Sequence, residues 1–101
     1  MKKSRIDIVT PAISEFCRRN GIRQLSLFGS VLTESFGPDS DVDVLVEFKP
    51  GTRVGMIGLA RLELELGEII GRKVDLNTPG FISKYFRNQV LSEMEIHYAE
   101  A

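Results

Sequence analysis

The sequence has a single cysteine and carries little net charge, and these two shortages exclude several classes of protein. Cys17 alone cannot form an internal disulfide, which excludes a disulfide-stapled secreted scaffold and suits a reducing cytoplasm. The formal net charge is -1 over 101 residues, whereas a dedicated DNA or RNA binder is strongly basic. We therefore expect no stable nucleic-acid binding.

Long apolar runs are missing as well. No stretch approaches the roughly 20 apolar residues of a membrane span, and the basic residues 1–5 are followed by Ile6-Asp7-Ile8 rather than by a signal-peptide core. Hydrophobic residues make up 43% and charged residues 27% of the chain, as in ordinary globular proteins. We expect one cytoplasmic domain, residues 1–101, with one modest core and no membrane association.

Turn signals and apolar periodicity divide the chain into helices and strands. Thr10-Pro11 is typical of a helix start, and Asn20-Gly21 of a helix end, although the apolar stripe extends back toward Ser4. Further helices are predicted over 31–36, over 54–70 with Gly71 as the C-terminal cap, and from Thr78-Pro79 to about Met94. The predicted strands are 23–28, 41–48, 72–77 and 95–98. This order predicts an α/β (α+β) fold, a small mixed β-sheet flanked by helices.

Three aspartates lie on two of these strands. Asp41 and Asp43 are two apart, so their side chains project from one face, and Asp75 lies between Val74 and Leu76, which point to the opposite face. If the two strands are neighbours, the three carboxylates converge. Converging carboxylates repel one another unless a cation lies among them, and oxygen ligands suit Mg²⁺ or Mn²⁺. Such ions bridge triphosphate oxygens and activate an attacking hydroxyl.

Gly29-Ser30 follows a predicted strand and precedes a predicted helix. Glycine lets a phosphate approach the backbone closely, the helix N-terminus offers free N–H groups, and the serine hydroxyl adds a donor. A phosphate site beside carboxylate-held metal is the minimum equipment for nucleotidyl or phosphoryl transfer. Each motif alone has an ordinary interpretation, such as a solvated strand end for Asp41 and Asp43 or an edge-strand surface residue for Asp75. The hypothesis depends on their combination.

The stretch LFGSVLTESFGPDSDVDVLVEF, residues 27–48, resembles the signature of the DNA-polymerase-β-like nucleotidyltransferase superfamily. Within it the chain is similar to the minimal nucleotidyltransferases (MNT), the partners of HEPN-domain proteins in prokaryotic toxin–antitoxin pairs. The segment 71–76 resembles the family's third-carboxylate strand, and residues 79–98 are similar too. The resemblance implies a polymerase-β-like nucleotidyltransferase core.

The resemblance also implies roles for the candidate residues. Gly29 and Ser30 would bind the triphosphate, Asp41 and Asp43 would bind or bridge the metal ions, and Asp75 would complete the metal site and help to deprotonate the acceptor. The implied reaction is Mg²⁺-dependent transfer of AMP from ATP to a tyrosine of a cognate HEPN RNase toxin. The small size of the chain favours an acceptor supplied by a partner protein.

Two other functions remain open at this stage. The chain could neutralise a toxin simply by covering it, or it could be the catalytic subunit of a two-part enzyme that modifies a small molecule.

Leu32-Thr33-Glu34 stands where many relatives have Ala-Arg-Gly, so an arginine that could contact phosphate or partner is replaced by Thr33. This departure bears on the rate and leaves the three aspartates intact.

The remaining reactive or charged side chains are predicted to be structural. Cys17 falls on the apolar stripe of the first helix, and His97, the one histidine, lies near the C-terminus. The glutamates of the 54–70 helix are predicted to form a solvated face, and three basic residues are expected to be solvated although they could reach phosphates. The glutamates are Glu63, Glu65 and Glu68, and the basic residues are Arg53, Arg72 and Lys73.

Overall fold

The structure, a computed structural model, describes residues 10–34, 36–80, 82 and 84–100. The described residues form three α-helices, four strands and one 3-10 turn. The helices are α1 (Pro11–Arg19), α2 (Met56–Ile70) and α3 (Lys84–Glu93). The strands are β1 (Ile22–Phe28), β2 (Val42–Phe48), β3 (Val74–Asn77) and β4 (Glu95–Ala99), and the 3-10 turn spans Gly29–Leu32. The predicted extension of the first helix toward Ser4 lies outside the described residues.

The four strands form one mixed sheet in the order β3-β2-β1-β4. β1 pairs antiparallel with both β2 and β4, while β2 pairs parallel with β3. Because the parallel pair needs a crossover connection, helix α2 links β2 to β3. The predicted α+β class with a small mixed sheet is confirmed.

The core lies on the face of the sheet that α1 and α2 cover. Val44 of β2 is the register partner of Leu27 in β1, and Val46 is the partner of Leu25, so all four side chains share this face. They pack with apolar residues of the two helices, all nearly fully buried: Ile13, Phe16, Cys17, Leu62 and Leu66. The predicted burial of Cys17 is thereby confirmed.

Both core helices have the predicted end signals. The side chain of Thr10 accepts a hydrogen bond from the Ile13 N–H at 3.3 Å, and Pro11 occupies the first turn of α1. Gly71 ends α2 in the left-handed conformation at φ 80°, which a residue with a Cβ rarely adopts. The ends of these helices are therefore determined by local chemistry.

The predicted helix over 31–36 is a 3-10 turn instead, and it begins two residues earlier. The Thr33 N–H and the Thr33 hydroxyl both donate to the Ser30 carbonyl, at 2.9 and 2.8 Å. A side chain that takes a backbone carbonyl in this way competes with helix propagation. The turn ends immediately after Leu32, where Thr33 bonds back to Ser30.

The last helix begins later than predicted. Thr78-Pro79 does not start it, because Pro79 and Gly80 form a turn, a common role of the Pro-Gly dipeptide, and α3 begins at Lys84. The predicted apolar side of this helix is not buried either. Tyr85 is 84%, Phe86 60% and Leu91 40% exposed, because α3 lies on the open face of the sheet, away from the core. Phe81 lies outside the described residues.

Across the described ranges, no helix combines the length and the apolar character that crossing a bilayer requires.

Candidate functional site

Two of the three predicted aspartates face each other across the parallel strands. Asp43 of β2 and Asp75 of β3 are register partners, and Asp75 contributes to a raised pKa at Asp43. Val74 and Leu76 are buried in the core, so Asp75 points to the opposite face, as the alternation of strand side chains predicts. The pairing of β2 with β3 therefore brings these two carboxylates together on the face opposite α1 and α2.

The environment of the Asp43 carboxyl is unfavourable for its charged form. Burial raises its pKa from the ordinary value of 3.8 to about 6, and repulsion and hydrogen bonding by Asp75 add to the rise. Asp41 adds a further repulsion, whereas the backbone N–H of Ser30 donates to the Asp43 carboxylate and lowers the pKa. Negative charge is thus concentrated at Asp43 beyond what the local donors offset.

Gly29 contacts this carboxylate with its bare backbone. Its φ is +76°, and a Cβ at this position would overlap the Oδ2 atom of Asp43. Only glycine satisfies both the backbone conformation and the close approach. The backbone of Ser30 also lowers the pKa of Asp43, so the Gly-Ser motif and the second aspartate form one cluster. The role of Gly29 and Ser30 in phosphate binding stays a prediction.

Asp41 lies near this cluster and beside Lys73. It precedes β2, and its Oδ2 lies 4.0 Å from the Nζ of Lys73, whose side chain is 82% exposed. Within the described part of the chain, no three carboxylate, imidazole or thiolate groups lie close enough to hold a metal ion together. The structure therefore pairs Asp43 with Asp75 and leaves Asp41 beside them. The metal-ligand and catalytic roles of all three stay predictions.

An open cavity of about 490 Å³ lies over the facing carboxylates. One side consists of residues from the sheet and the Gly-Ser turn, namely Phe28, Gly29, Asp43, Asp75 and Asn77. The other side is supplied by α3 and the segment before it: Ile82, Phe86, Gln89, Val90 and Glu93. Asn77 was not among the predicted site residues, although it lies two residues beyond Asp75 and so shares its strand face.

Several charged residues have roles other than those predicted. Glu63 is not part of a solvated face, because its Oε2 accepts the Leu76 N–H at 2.8 Å. Arg72 does not reach toward the carboxylates: its Nη2 donates to the carbonyls of Gly37 and Ser40, and its guanidinium lies 4.2 Å from the centre of the Phe36 ring. No signal in the sequence marked either contact, since each joins residues that are far apart in the chain.

Two further basic or titratable residues lie away from the carboxylate cavity. Arg53 lines a separate cavity of about 340 Å³, with Arg61 and Glu65 among its other lining residues. His97 is in β4, with its Nε2 2.6 Å from the Glu95 carboxylate, and it does not line the carboxylate cavity. The expectation that His97 is structural is consistent with this place in the sheet.

The chemistry of the donor set fits a divalent cation. Asp43 and Asp75 present only oxygen atoms, which is the ligand type that Mg²⁺ and Mn²⁺ prefer. Burial first, and the neighbouring carboxylates second, make the ionised form of Asp43 unfavourable, and a cation at this place would stabilise that form. The cavity above the pair leaves room for phosphate oxygens.

Residues 10–97 match the family described as the nucleotidyltransferase domain, and the chain belongs to this family. It is 35% identical over 75 residues to a Methanocaldococcus jannaschii protein named as a candidate protein adenylyltransferase, covering 74% of this chain and 78% of that protein. It is 31% identical over 87 residues to the protein adenylyltransferase MntA of Thermococcus cleftensis, covering 86% of each. The resemblance to the minimal nucleotidyltransferases is thereby confirmed.

Solved structures agree with this assignment. A structure described as a candidate minimal nucleotidyltransferase is 33% identical, with a TM-score of 0.69, and the match covers 91% of this chain and 97% of that one. A complex of a tri-AMPylated HEPN toxin from Shewanella oneidensis with its MNT antitoxin matches with a TM-score of 0.65 at 22% identity, over 88% of this chain and 68% of that chain. At that identity the second likeness shows the fold alone.

Proposed function

We propose that this chain is a protein adenylyltransferase that moves AMP from ATP to a tyrosine of a HEPN-domain partner and so acts as an antitoxin. The observation that carries the proposal is the facing pair Asp43 and Asp75 at the floor of an open cavity, beside the bare backbone of Gly29. The names of the two relatives, both adenylyltransferases of proteins, support the reaction type. The AMPylated toxin in the related complex supports the kind of acceptor.

In this proposal the acceptor hydroxyl attacks the α-phosphorus of ATP. A bond forms between the tyrosine oxygen and that phosphorus, the bond to the β-phosphate oxygen breaks, and pyrophosphate leaves. The hydroxyl proton is taken up by Asp75, which is exposed to the cavity and faces Asp43. The products are the AMP-modified tyrosine, pyrophosphate and one proton, so the reaction balances.

Asp41, Asp43 and Asp75 would hold the divalent cation, and Gly29 and Ser30 would contact the triphosphate. The cation, when bound, supplies positive charge that stabilises the negative charge of the transferred group. The chain itself supplies orientation, because the register of β2 with β3 sets the direction of two carboxylates and the φ of Gly29 brings the Gly-Ser turn against them.

The exposed wall of the cavity suits a protein acceptor. Phe86 lines the cavity and is also 60% exposed, and it is continuous along α3 with Tyr85, which is 84% exposed. Large apolar side chains at the mouth of a polar site are typical of contacts with another protein. If a tyrosine of the partner binds in this cavity, the partner residues next to it lie against α3. We therefore propose α3 as the surface that the acceptor contacts.

The test is transfer measured by intact mass. With the HEPN partner, ATP and Mg²⁺, the wild type should add AMP-sized mass steps to the partner, and the Asp41→Ala/Asp43→Ala double variant should add none. Loss of one stabilising interaction of this kind costs about 10²–10³ in rate. Asp39→Ala is the matched control, because Asp39 is an exposed aspartate in the turn before β2.

Two other outcomes would select the alternative functions, namely neutralisation by binding and modification of a small molecule. If wild type and double variant both leave the partner's mass unchanged and both still neutralise it, the chain acts by covering the toxin. If the partner stays unmodified while a small molecule gains AMP in its presence, the chain is instead the catalytic subunit of a two-part enzyme. Either result would overturn the proposed function.

A further inference from the structure

The strand that carries Asp75 has little support from the sheet itself. β3 comprises four residues, Val74–Asn77, and lies at the edge of the sheet, paired only with β2. An edge strand leaves one row of its backbone N–H and C=O groups without a ladder partner. The two facing carboxylates also repel each other whenever both are ionised. Something other than the ladder must therefore hold β3 at its place.

Glu63 of α2 bonds the free edge of this strand. Its Oε2 accepts the N–H of Leu76 at 2.8 Å, next to Asp75 in the chain. A carboxylate that accepts a backbone N–H makes a charge-assisted hydrogen bond, roughly twice as strong as a neutral one. Leu76 itself is buried, with 6% of its surface exposed. Helix α2 thus holds β3 through both packing and a directed hydrogen bond.

Arg72 joins the start of β3 to the loop that leads into β2. Its Nη2 donates to the Gly37 carbonyl and, at 3.1 Å, to the Ser40 carbonyl. The guanidinium also lies over the Phe36 ring, 4.2 Å from its centre. Ser40 immediately precedes Asp41, so one side chain connects the segments that lead to both aspartate-bearing strands.

We propose that Glu63 and Arg72 are positioning residues, which hold β3 and the start of β2 in the register that keeps Asp75 opposite Asp43. Neither side chain lines the carboxylate cavity, so each acts through the strands. The expected loss of AMP transfer in Glu63 and Arg72 variants rests on the proposed function, whereas the expected loss of order in β3 does not. The two are therefore tested by different measurements.

The strand is tested by amide hydrogen exchange on the intact protein without metal or nucleotide. In Glu63→Met the Leu76 amide should exchange at least about tenfold faster, since its charged acceptor is gone, while the Leu27 amide of the central strand β1 keeps its protection. Glu63→Gln retains an acceptor oxygen and should restore part of the protection. The control is Glu65→Met on the same helix, where the lost partner is the exposed Arg19.

An unchanged Leu76 rate would overturn the proposal. Exchange that rises equally at Leu76 and Leu27 shows that Glu63→Met is destabilised throughout or does not fold, and the Glu63→Gln comparison then decides alone. In that case the proposal stands only if Glu63→Gln exchanges faster than wild type at Leu76 and not at Leu27.

The site is tested by Mn²⁺ binding without ATP and by transfer kinetics. Arg72→Met and Glu63→Met should each bind Mn²⁺ about tenfold more weakly and lower kcat, with the KM for ATP changed less; Arg72→Lys should recover part of the affinity. Wild-type Mn²⁺ affinity in both Met variants would overturn the proposal. If the wild type itself transfers no AMP, the proposed function fails, and the exchange and Mn²⁺ results still decide the positioning role.

Discussion

Gly29 lies against Asp43 so closely that an added Cβ would overlap the Oδ2 atom of the carboxylate. The two residues are joined by the pairing of the last residue of β1, Phe28, with Asp43. The Gly-Ser turn and the aspartate motif are therefore one structural unit, and a change in the first acts directly on the second.

Substitution of Gly29 should disable the site as well as strain the backbone. In Gly29→Ala the φ of +76° costs about 1–2 kcal/mol for a residue with a Cβ, and the Asp43 side chain must move in addition. We expect the gain in ATP affinity that Mg²⁺ provides to be lost, measured by calorimetry. Gly51→Ala is the control, since Gly51 has φ +87° with nothing within 4 Å of an added Cβ. Equal effects of both substitutions on ATP binding would contradict this prediction.

The stability of the metal-free protein should fall as the pH rises through the range in which Asp43 ionises. Its pKa is about 6 in the folded protein and 3.8 ordinarily, so the folded state holds this proton more tightly than the unfolded chain does. The contribution of Asp43 to the free energy of unfolding is therefore fully present below about pH 4 and is lost as the pH passes about 6. Asp43→Asn should remove this contribution, measured by urea unfolding in EDTA at pH 5 and pH 7. Asp39→Asn, an exposed carboxyl in the same region, should keep the wild-type difference between the two pH values.

Triphosphate should bind weakly without a divalent cation, because Asp41, Asp43 and Asp75 repel it. Calorimetry should show markedly tighter ATP binding in Mg²⁺ than in EDTA for the wild type. Asp43→Asn should reduce that gain, since one negative charge of the proposed metal site is lost while the size of the side chain is kept. Equal ATP affinity in EDTA and in Mg²⁺ would count decisively against carboxylate-held metal at this site.

The wall of the cavity formed by α3 should affect the acceptor more than the nucleotide. Phe86→Ala should raise the KM for the protein acceptor by about tenfold, the cost of a moderately important interface side chain, and leave ATP binding nearly unchanged. Leu64→Ala is the control, because Leu64 is 71% exposed on α2, on the other side of the sheet. If Phe86→Ala weakened ATP binding as much as acceptor binding, the wall would instead contact the nucleotide.

Much of the geometry of the candidate site could be predicted from local sequence. The alternation of Val42, Asp43 and Val44 determines which side chains face the core, because the side-chain period of a strand is two whatever its neighbours are. The same reasoning separates Asp75 from Val74 and Leu76. End signals that act within a few residues, such as Thr10 and Gly71, also gave the ends of α1 and α2 to within about two residues.

The wrong predictions came from local signals that competed with one another or that carried no information on tertiary contacts. Thr78-Pro79 resembles a helix start, but Pro79-Gly80 resembles a turn equally well, and the turn forms. The apolar stripe of α3 predicted burial, yet periodicity says only that apolar side chains share one side of a helix. It does not say whether another surface covers them, and Phe86 remains largely exposed.

The tertiary structure alone decided how the carboxylates meet. Strand parity leaves open which strands are neighbours and at what stagger, and the parallel register places Asp43 opposite Asp75 while Asp41 lies beside Lys73. The hydrogen bonds of Glu63 to Leu76 and of Arg72 to Gly37 connect residues 13 and 35 positions apart. Local propensities act over a few residues, so contacts at such separations exist only once the chain has folded.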